Sequence, residues 1–151
     1  MKRLRIYVDS SVFGGCFDRE FEEESRRFFD LVRASEITVL ISNVTLAELE
    51  RAPRKVQEVA ASIPPETVER LEAAEEAERL RDAYLAAQVV PPNFAEDALH
   101  VAMATIEGAD VIVSRNFKHL VNIQRIRAFN AVNLLQGYQP IDIRSPLEVL
   151  P

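Results

Sequence analysis

Three carboxylates and one amide stand where apolar runs stop. Asp9 follows "LRIYV" (4–8) directly, with Ser10 and Ser11 behind it and an expected small-residue loop after them. Glu48 comes shortly after "ITVLIS" (37–42), and Asp97 opens the patterned stretch "AEDALHVAMATIEG" (95–108). Ser114 ends "DVIVS" (110–114), and Asn116 lies two residues further on. Carboxylates that gather repel one another unless a cation sits among them. Oxygen donors of this kind suit Mg2+ or Mn2+ rather than zinc. Each acid also has an ordinary role. Asp9 can open a turn by bonding its own following backbone. Thr45-x-x-Glu48 reads as a capping box, with Val44 and Leu49 as its hydrophobic staple. Asp97 suits the positive end of a helix that Asn93-x-x-Glu96 would cap. His100, one turn after Asp97, reads as packing or as support for a ligand, and His119 as a surface or structural residue. Cys16 has no His–acid partner close in sequence and reads as an inert thiol.

These side chains meet only if the elements carrying them do. The runs at 4–8, 37–42 and 110–114 read as strands, the second being apolar enough for burial on both faces. "IDI" (141–143) reads as a last edge strand. Helices are expected over 20–35, about 45–61, 66–88, 95–108 and about 122–136, with Pro64-Pro65, Pro91-Pro92, Gly108 and Gly137 as punctuation. Strands alternating with helices predict a three-layer α/β/α domain around a mostly parallel sheet, over residues 1–151 as one unit. In such sheets ligands bind beyond the carboxyl ends of the strands. That is where Asp9, Glu48, Ser114 and Asn116 fall. A helix starting near 95 puts Asp97 on a stripe with Val101 and Ala104, tilted toward packed protein.

The chain has 151 residues, net charge −6 and one cysteine, which excludes an internal disulfide and a cysteine zinc cage. No apolar run reaches membrane-spanning length, and "MKRLR" leads into too short an apolar run for a signal peptide. A cytoplasmic location is expected. The charge is uneven. From Val111 to Ile141 there is no acid, and Arg115, Lys118, Arg125 and Arg127 give +4. From Glu66 to Asp82, seven acids against three bases give −4. A polyanion would approach the first region and avoid the second, although two solvated helix faces would show the same pattern.

"YVDSSVFGG", "SNVTLAELE", "EDALHVAMATIEGADVIVSRNFKHL" and "YQPIDIRSPLEVL", in that order, resemble the PIN-domain nuclease family, most of all its VapC-type toxins. The resemblance spans nearly the whole chain. It implies that Asp9, Glu48 and Asp97 are metal-binding acids, that Ser10 and Ser11 support the first of them, and that Ser114 is the hydroxyl before a fourth acid. Asn116 stands where many members carry that acid, so this sequence departs from the pattern there. The implied activity is hydrolysis of RNA phosphodiesters assisted by Mg2+ or Mn2+, with Arg115, Lys118, Arg125 and Arg127 as the RNA-binding surface. The implied partners are an RNA substrate, a cognate antitoxin and a second copy of the chain, with no membrane.

Three other readings fit parts of the sequence. A receiver-like phosphoacceptor domain also places Asp at strand ends, but no acid directly follows the second or third expected strand. A PIN-like fold without activity, binding RNA or protein, is compatible with Asn116. A pure interaction module would use the acidic stretch 66–88, with Val68, Leu71 and Ala74–Ala77 as its apolar stripe.

Overall fold

In the computed structural model, which describes residues 3–151, the first two apolar runs form β1 (Leu4–Val8) and β2 (Ile37–Ser42). They pair in parallel from Leu4 opposite Ile37 to Tyr7 opposite Leu40. β3 (Val68–Leu71) continues the sheet beyond β2. β4 (Val111–Val113) lies on the other side of β1, and β5 (Asp142–Arg144) lies beyond β4. The order is β3-β2-β1-β4-β5, with every pairing parallel. The chain therefore builds outward from β1 in one direction, then crosses back to add β4 and β5. The crevice between β1 and β4 is the topological switch point, where such sheets bind ligands.

Strand alternation divides the core. Tyr7, Leu40 and Ile112 point to one face, packed with Ala98, Val101, Ala102 and Phe129. Those partners come from α6 (Ala95–Ile106) and α7 (Ile123–Leu135), with α5 (Glu75–Ala86) contributing Leu80 and Tyr84. Ile6, Val8, Val39 and Val113 point to the other face, against Val12 and Phe13 of α1 (Ser10–Gly15) and Phe28, Phe29 and Val32 of α2 (Glu22–Arg33). Helices on both faces leave the central strands fully buried, as an all-parallel sheet requires. Each large apolar side chain buried this way contributes roughly 1.5–3 kcal/mol.

Three expectations need correction. The stretch 66–88 is not one helix: Val68–Leu71 pairs with β2, and α5 begins only at Glu75. Val68 and Leu71 therefore belong to a strand, and the acidic helical face of the interaction-module reading does not exist in that form. The helix expected over 45–61 is two, α3 (Asn43–Glu50) and α4 (Arg54–Ala61), separated at Pro53. Pro53 has no N–H to continue the helical ladder and serves as the residue before α4. The small-residue stretch after Asp9 is the helix α1 rather than a loop. Gly15 within it is required by space, because a Cβ there would lie 2.4 Å from Ser25 Oγ and 2.7 Å from Arg115 Cδ.

Candidate active site

Asp9 leaves β1 at the switch point. Its N–H bonds the carbonyl of Val113 at 3.1 Å, so β4 fixes where it stands. It occupies the position before α1, yet its side chain makes no capping bond to the backbone. Its Oδ2 instead accepts hydrogen bonds from Ser11 Oγ (3.0 Å) and Ser114 Oγ (2.7 Å). The turn-opening role is therefore not what this side chain performs. It is buried, with two hydroxyls holding one oxygen. Ser10 turns the other way and donates to Glu48 Oε1 at 3.3 Å.

Glu48 lies on α3, and its role is decided by where that helix is capped. The cap is Ser42, whose Oγ accepts from Thr45 N at 3.1 Å. Thr45 is thus inside the helix, the expected Thr45–Glu48 box does not form, and Glu48 is free to face the crevice. His100 of α6 meets it, with Nε2 2.9 Å from Glu48 Oε1, while Nδ1 lies 2.5 Å from Tyr7 Oη. Tyr7 also reaches Ser42 Oγ at 2.8 Å. A buried chain therefore runs from the α3 cap through Tyr7 and His100 to Glu48. Burial works against a charge on His100, but Tyr7, Glu48 and Asp9 outweigh it and hold the imidazole well above its ordinary pKa. Burial also works against a charge on Glu48, but the hydrogen bond and charge of His100 outweigh it and lower the Glu48 pKa. Glu96 sits next to Glu48, and burial together with the Glu48 charge raises its pKa. His100 holding Glu48 is the supporting role expected of it. Glu96 as a neighbour of Glu48 does not follow from the capping motifs, and its i,i+4 spacing from His100, which puts both on one face of α6, is the signal that could have found it.

Asp97 follows Glu96 by one residue and is rotated about 100° around α6. It faces Asn116 and His119 instead. Asn116 Nδ2 donates to Asp97 Oδ2 at 3.1 Å, and His119 Nδ1 lies 3.1 Å from the same oxygen. Asn116 Oδ1 accepts the N–H of His119 at 3.0 Å. The amide is therefore committed at both ends, to a carboxylate and to its own turn. His119 is buried rather than at the surface, beneath the ring of Phe94. The N-cap expected at Asn93 is absent, since α6 starts after Phe94 with no side-chain capping bond. Asp97 still connects to Asp9, because Ser114 Oγ accepts Asn116 N at 2.9 Å while donating to Asp9.

One ligand atom each from Asp9, Glu48 and His100 lie within 4.8 Å of one another. Asp97 is outside that group, so the four expected residues form two linked clusters rather than one ring. His100 has both nitrogens engaged, which makes it an orienter of Glu48 and leaves carboxylate oxygens as the available donors. Glu48 and Asp97 side chains are 23% and 22% exposed, enough to be reached from solvent. Such a donor set fits a hard divalent cation of the Mg2+ or Mn2+ type.

The four basic residues differ in how they are engaged within the fold. Arg115 is tied to Asp18 at 2.8 Å and to the Ser11 carbonyl at 3.1 Å, with its guanidinium 4.5 Å from the Phe21 ring centroid. It braces α1 against the loop after β4. Arg125 bonds the carbonyl of Val89. Lys118 and Arg127 are exposed, and Lys118 is two residues from Asn116. No helix among the described residues is long and apolar enough to cross a membrane.

A family model described as PIN domain matches residues 6–124. No curated protein sequence matches the chain. Among solved structures, the chain is similar to VapC20 of Mycobacterium tuberculosis, a sarcin–ricin loop cleaving toxin. That match has 20% identity and a TM-score of 0.55, over 71% of this chain and 86% of that one. It is also similar to DNA-bound VapBC from Salmonella typhimurium, at 19% identity and TM-score 0.58, over 95% and 98% of the two chains. A third similar structure is FitAcB from Neisseria gonorrhoeae, at 15% identity and TM-score 0.59, over 95% and 99%.

Proposed function

Because the chain belongs to the PIN-domain family, we propose that it is a metal-dependent endoribonuclease and the toxin of a toxin–antitoxin pair. The observation that carries the chemistry is the approach of Asp9 and Glu48 within 4.8 Å at the switch point, each held by donors that leave oxygens free. The family membership sets aside the receiver-like alternative. Asp9, Glu48 and Asp97 would hold Mg2+ or Mn2+, which when bound supplies water activation and charge stabilisation for phosphodiester hydrolysis. The rest belongs to the chain. Ser11 and Ser114 fix the Asp9 carboxylate, and Ser10 and His100 fix Glu48. Asn116 and His119 hold Asp97 and contribute no fourth negative charge, so the free protein takes at most one ion. Lys118, exposed beside the site, is the basic residue best placed to meet an RNA phosphate.

The toxin reading is supported by the likeness to VapC20 and to the VapBC and FitAcB structures. Its partner would be an antitoxin that covers the acidic crevice with a basic side chain, and homodimerisation belongs to the same proposal. Two results test it. Expression of the chain alone should arrest growth, and expression together with the adjacent gene should relieve the arrest. RNA cut with Mn2+ should carry linear phosphate ends, the mark of attack by water. Unaffected growth would count against the toxin, and 2′,3′-cyclic ends would count against the hydrolytic mechanism.

A further inference from the structure

Among the described residues, the Arg51 guanidinium has no hydrogen bond, ion pair or ring partner, and the residue is exposed. It caps α3, with its N–H bonded to the Glu48 carbonyl at 3.2 Å. Three residues on from Glu48, it shares that side of the helix. Glu96 feels its charge: burial and Glu48 raise the Glu96 pKa, and Arg51 draws it down. A cation at a helix C-terminus is favoured by the helix dipole, which alone would explain Arg51. The two bases that follow do not fit that explanation. Arg54 and Lys55 stand in the first turn of α4 with no acid beside them, where the same dipole opposes them. Residues 51–55 thus hold three bases and no acid in a chain of net charge −6. Arg54 pairs with Glu58 at 3.5 Å and Lys55 lies 5.0 Å from the Phe17 ring centroid, so Arg51 is the uncommitted member and the one nearest Glu48. The sheet order puts this run opposite Lys118. β2 and β4 flank β1 on its two sides, their ends about 10 Å apart. Arg51 belongs to the helix after β2, Asp9 follows β1, and Lys118 follows β4.

We infer that Arg51 binds the RNA backbone, and that the strand crosses the carboxyl ends of β2, β1 and β4 with the scissile phosphate at Asp9 and flanking phosphates at Arg51 and Lys118. This rests on the nuclease reading above. A nucleic-acid strand carries a charge at every nucleotide, so a strand held at one phosphate offers others to cations on either side. A protein partner with a single acidic group would engage one of the two cations, whereas a strand threading the crevice engages both. Arg51 acts on substrate binding, away from the reacting atoms, and reads no sequence.

The test measures kcat/KM with Mn2+ on two RNAs of unrelated sequence, from low to high KCl, for wild type, Arg51→Gln, Arg51→Lys, Lys118→Gln and the double variant Arg51→Gln/Lys118→Gln. At low salt Arg51→Gln should lose about tenfold, mainly through KM and equally on both RNAs. Its slope of log kcat/KM against log salt should flatten by about 0.7–1, the mark of one lost phosphate contact. Arg51→Lys keeps the charge and should recover most of the rate. The double variant should show the product of the two single losses, because the two cations meet different phosphates. An unmoved slope in Arg51→Gln would overturn the inference, whether or not its melting temperature falls, since a helix cap alone leaves the slope in place. A double variant no worse than Lys118→Gln would overturn the two-sided path. Unchanged RNA kinetics with lost capture of the protein encoded by the adjacent gene would reassign Arg51 to a protein interface. A folded wild type that cuts neither RNA would refute the nuclease reading itself, whereas cleavage indifferent to Arg51 would refute only this inference.

Discussion

Asn116→Asp should destabilise the metal-free protein, although it supplies the fourth acid that the family resemblance implies at this position. The amide NH2 of Asn116 donates to Asp97 Oδ2 at 3.1 Å, and the substitution replaces that donor with a carboxylate oxygen. Losing a hydrogen bond to a charged group costs about 1.5–3 kcal/mol. Two unit charges about 4 Å apart repel by about 1 kcal/mol in a water-like medium, and by more in the partly buried crevice. The 22% exposure of the Asp97 side chain favours a value near the screened limit. The sum is about 3 kcal/mol, which for a chain of this length lowers Tm by roughly 6–12 °C. His119 N can still be accepted by the remaining oxygen, so the turn itself survives. Circular dichroism melts in EDTA measure the loss. Added Mn2+ should recover most of it, because the added charge then faces a cation. A variant in EDTA as stable as wild type, or more so, would refute the idea that the amide holds Asp97.

Other outcomes follow from the same contacts. In EDTA, Asp9→Asn should melt close to the wild-type temperature, since relief of repulsion with Glu48 offsets the lost attraction to His100 and an acceptor remains for Ser11 and Ser114. Asp97→Asn should melt lower, since it weakens the bonds from Asn116 and His119; the reverse order of the two would show that the clusters are misassigned. Gly15→Ala should lose about 1–3 kcal/mol through overpacking against Ser25 and Arg115, read from denaturant midpoints, and a neutral effect would mean that Arg115 moves freely. The His100–Glu48 pair sets the pH profile in EDTA. The raised His100 pKa contributes stability that is present below its unfolded value, about 6.5, and is lost as pH rises through the folded value. The lowered Glu48 pKa contributes stability that is present above its unfolded value and is lost as pH falls through the folded one. His100→Gln should therefore abolish the decline on the alkaline side, and an unchanged profile would place its cause elsewhere.

Much of the fold is legible because apolar runs and proline punctuation are local signals. β1, β2 and β4 announce themselves that way, and Asp9 is legible as the residue at which a buried run ends. β3 is not, because Glu69 and Arg70 face solvent on an edge strand and hide Val68 and Leu71 inside an acidic stretch. Glu48 was legible by position but ambiguous by motif. Only the cap at Ser42, fixed in turn by Tyr7 across the sheet, frees it for the crevice. The turn of α6 that sends Glu96 and His100 toward Glu48 and Asp97 toward Asn116 depends on how that helix packs. No spacing rule distinguishes one ring of acids from two linked clusters. The bracing of Arg115 by Asp18 and Phe21 is likewise a long-range contact, and charge counting alone does not show it.

The most direct test of the account is the rate of RNA cleavage as Mn2+ is raised, measured for wild type beside Asp9→Asn on the same RNA pool. Wild type should be silent in EDTA and rise to a plateau with Mn2+, while Asp9→Asn remains folded and silent at every concentration. Cleavage by wild type in EDTA, or a wild-type rate from Asp9→Asn, would contradict a metal-dependent site built on Asp9.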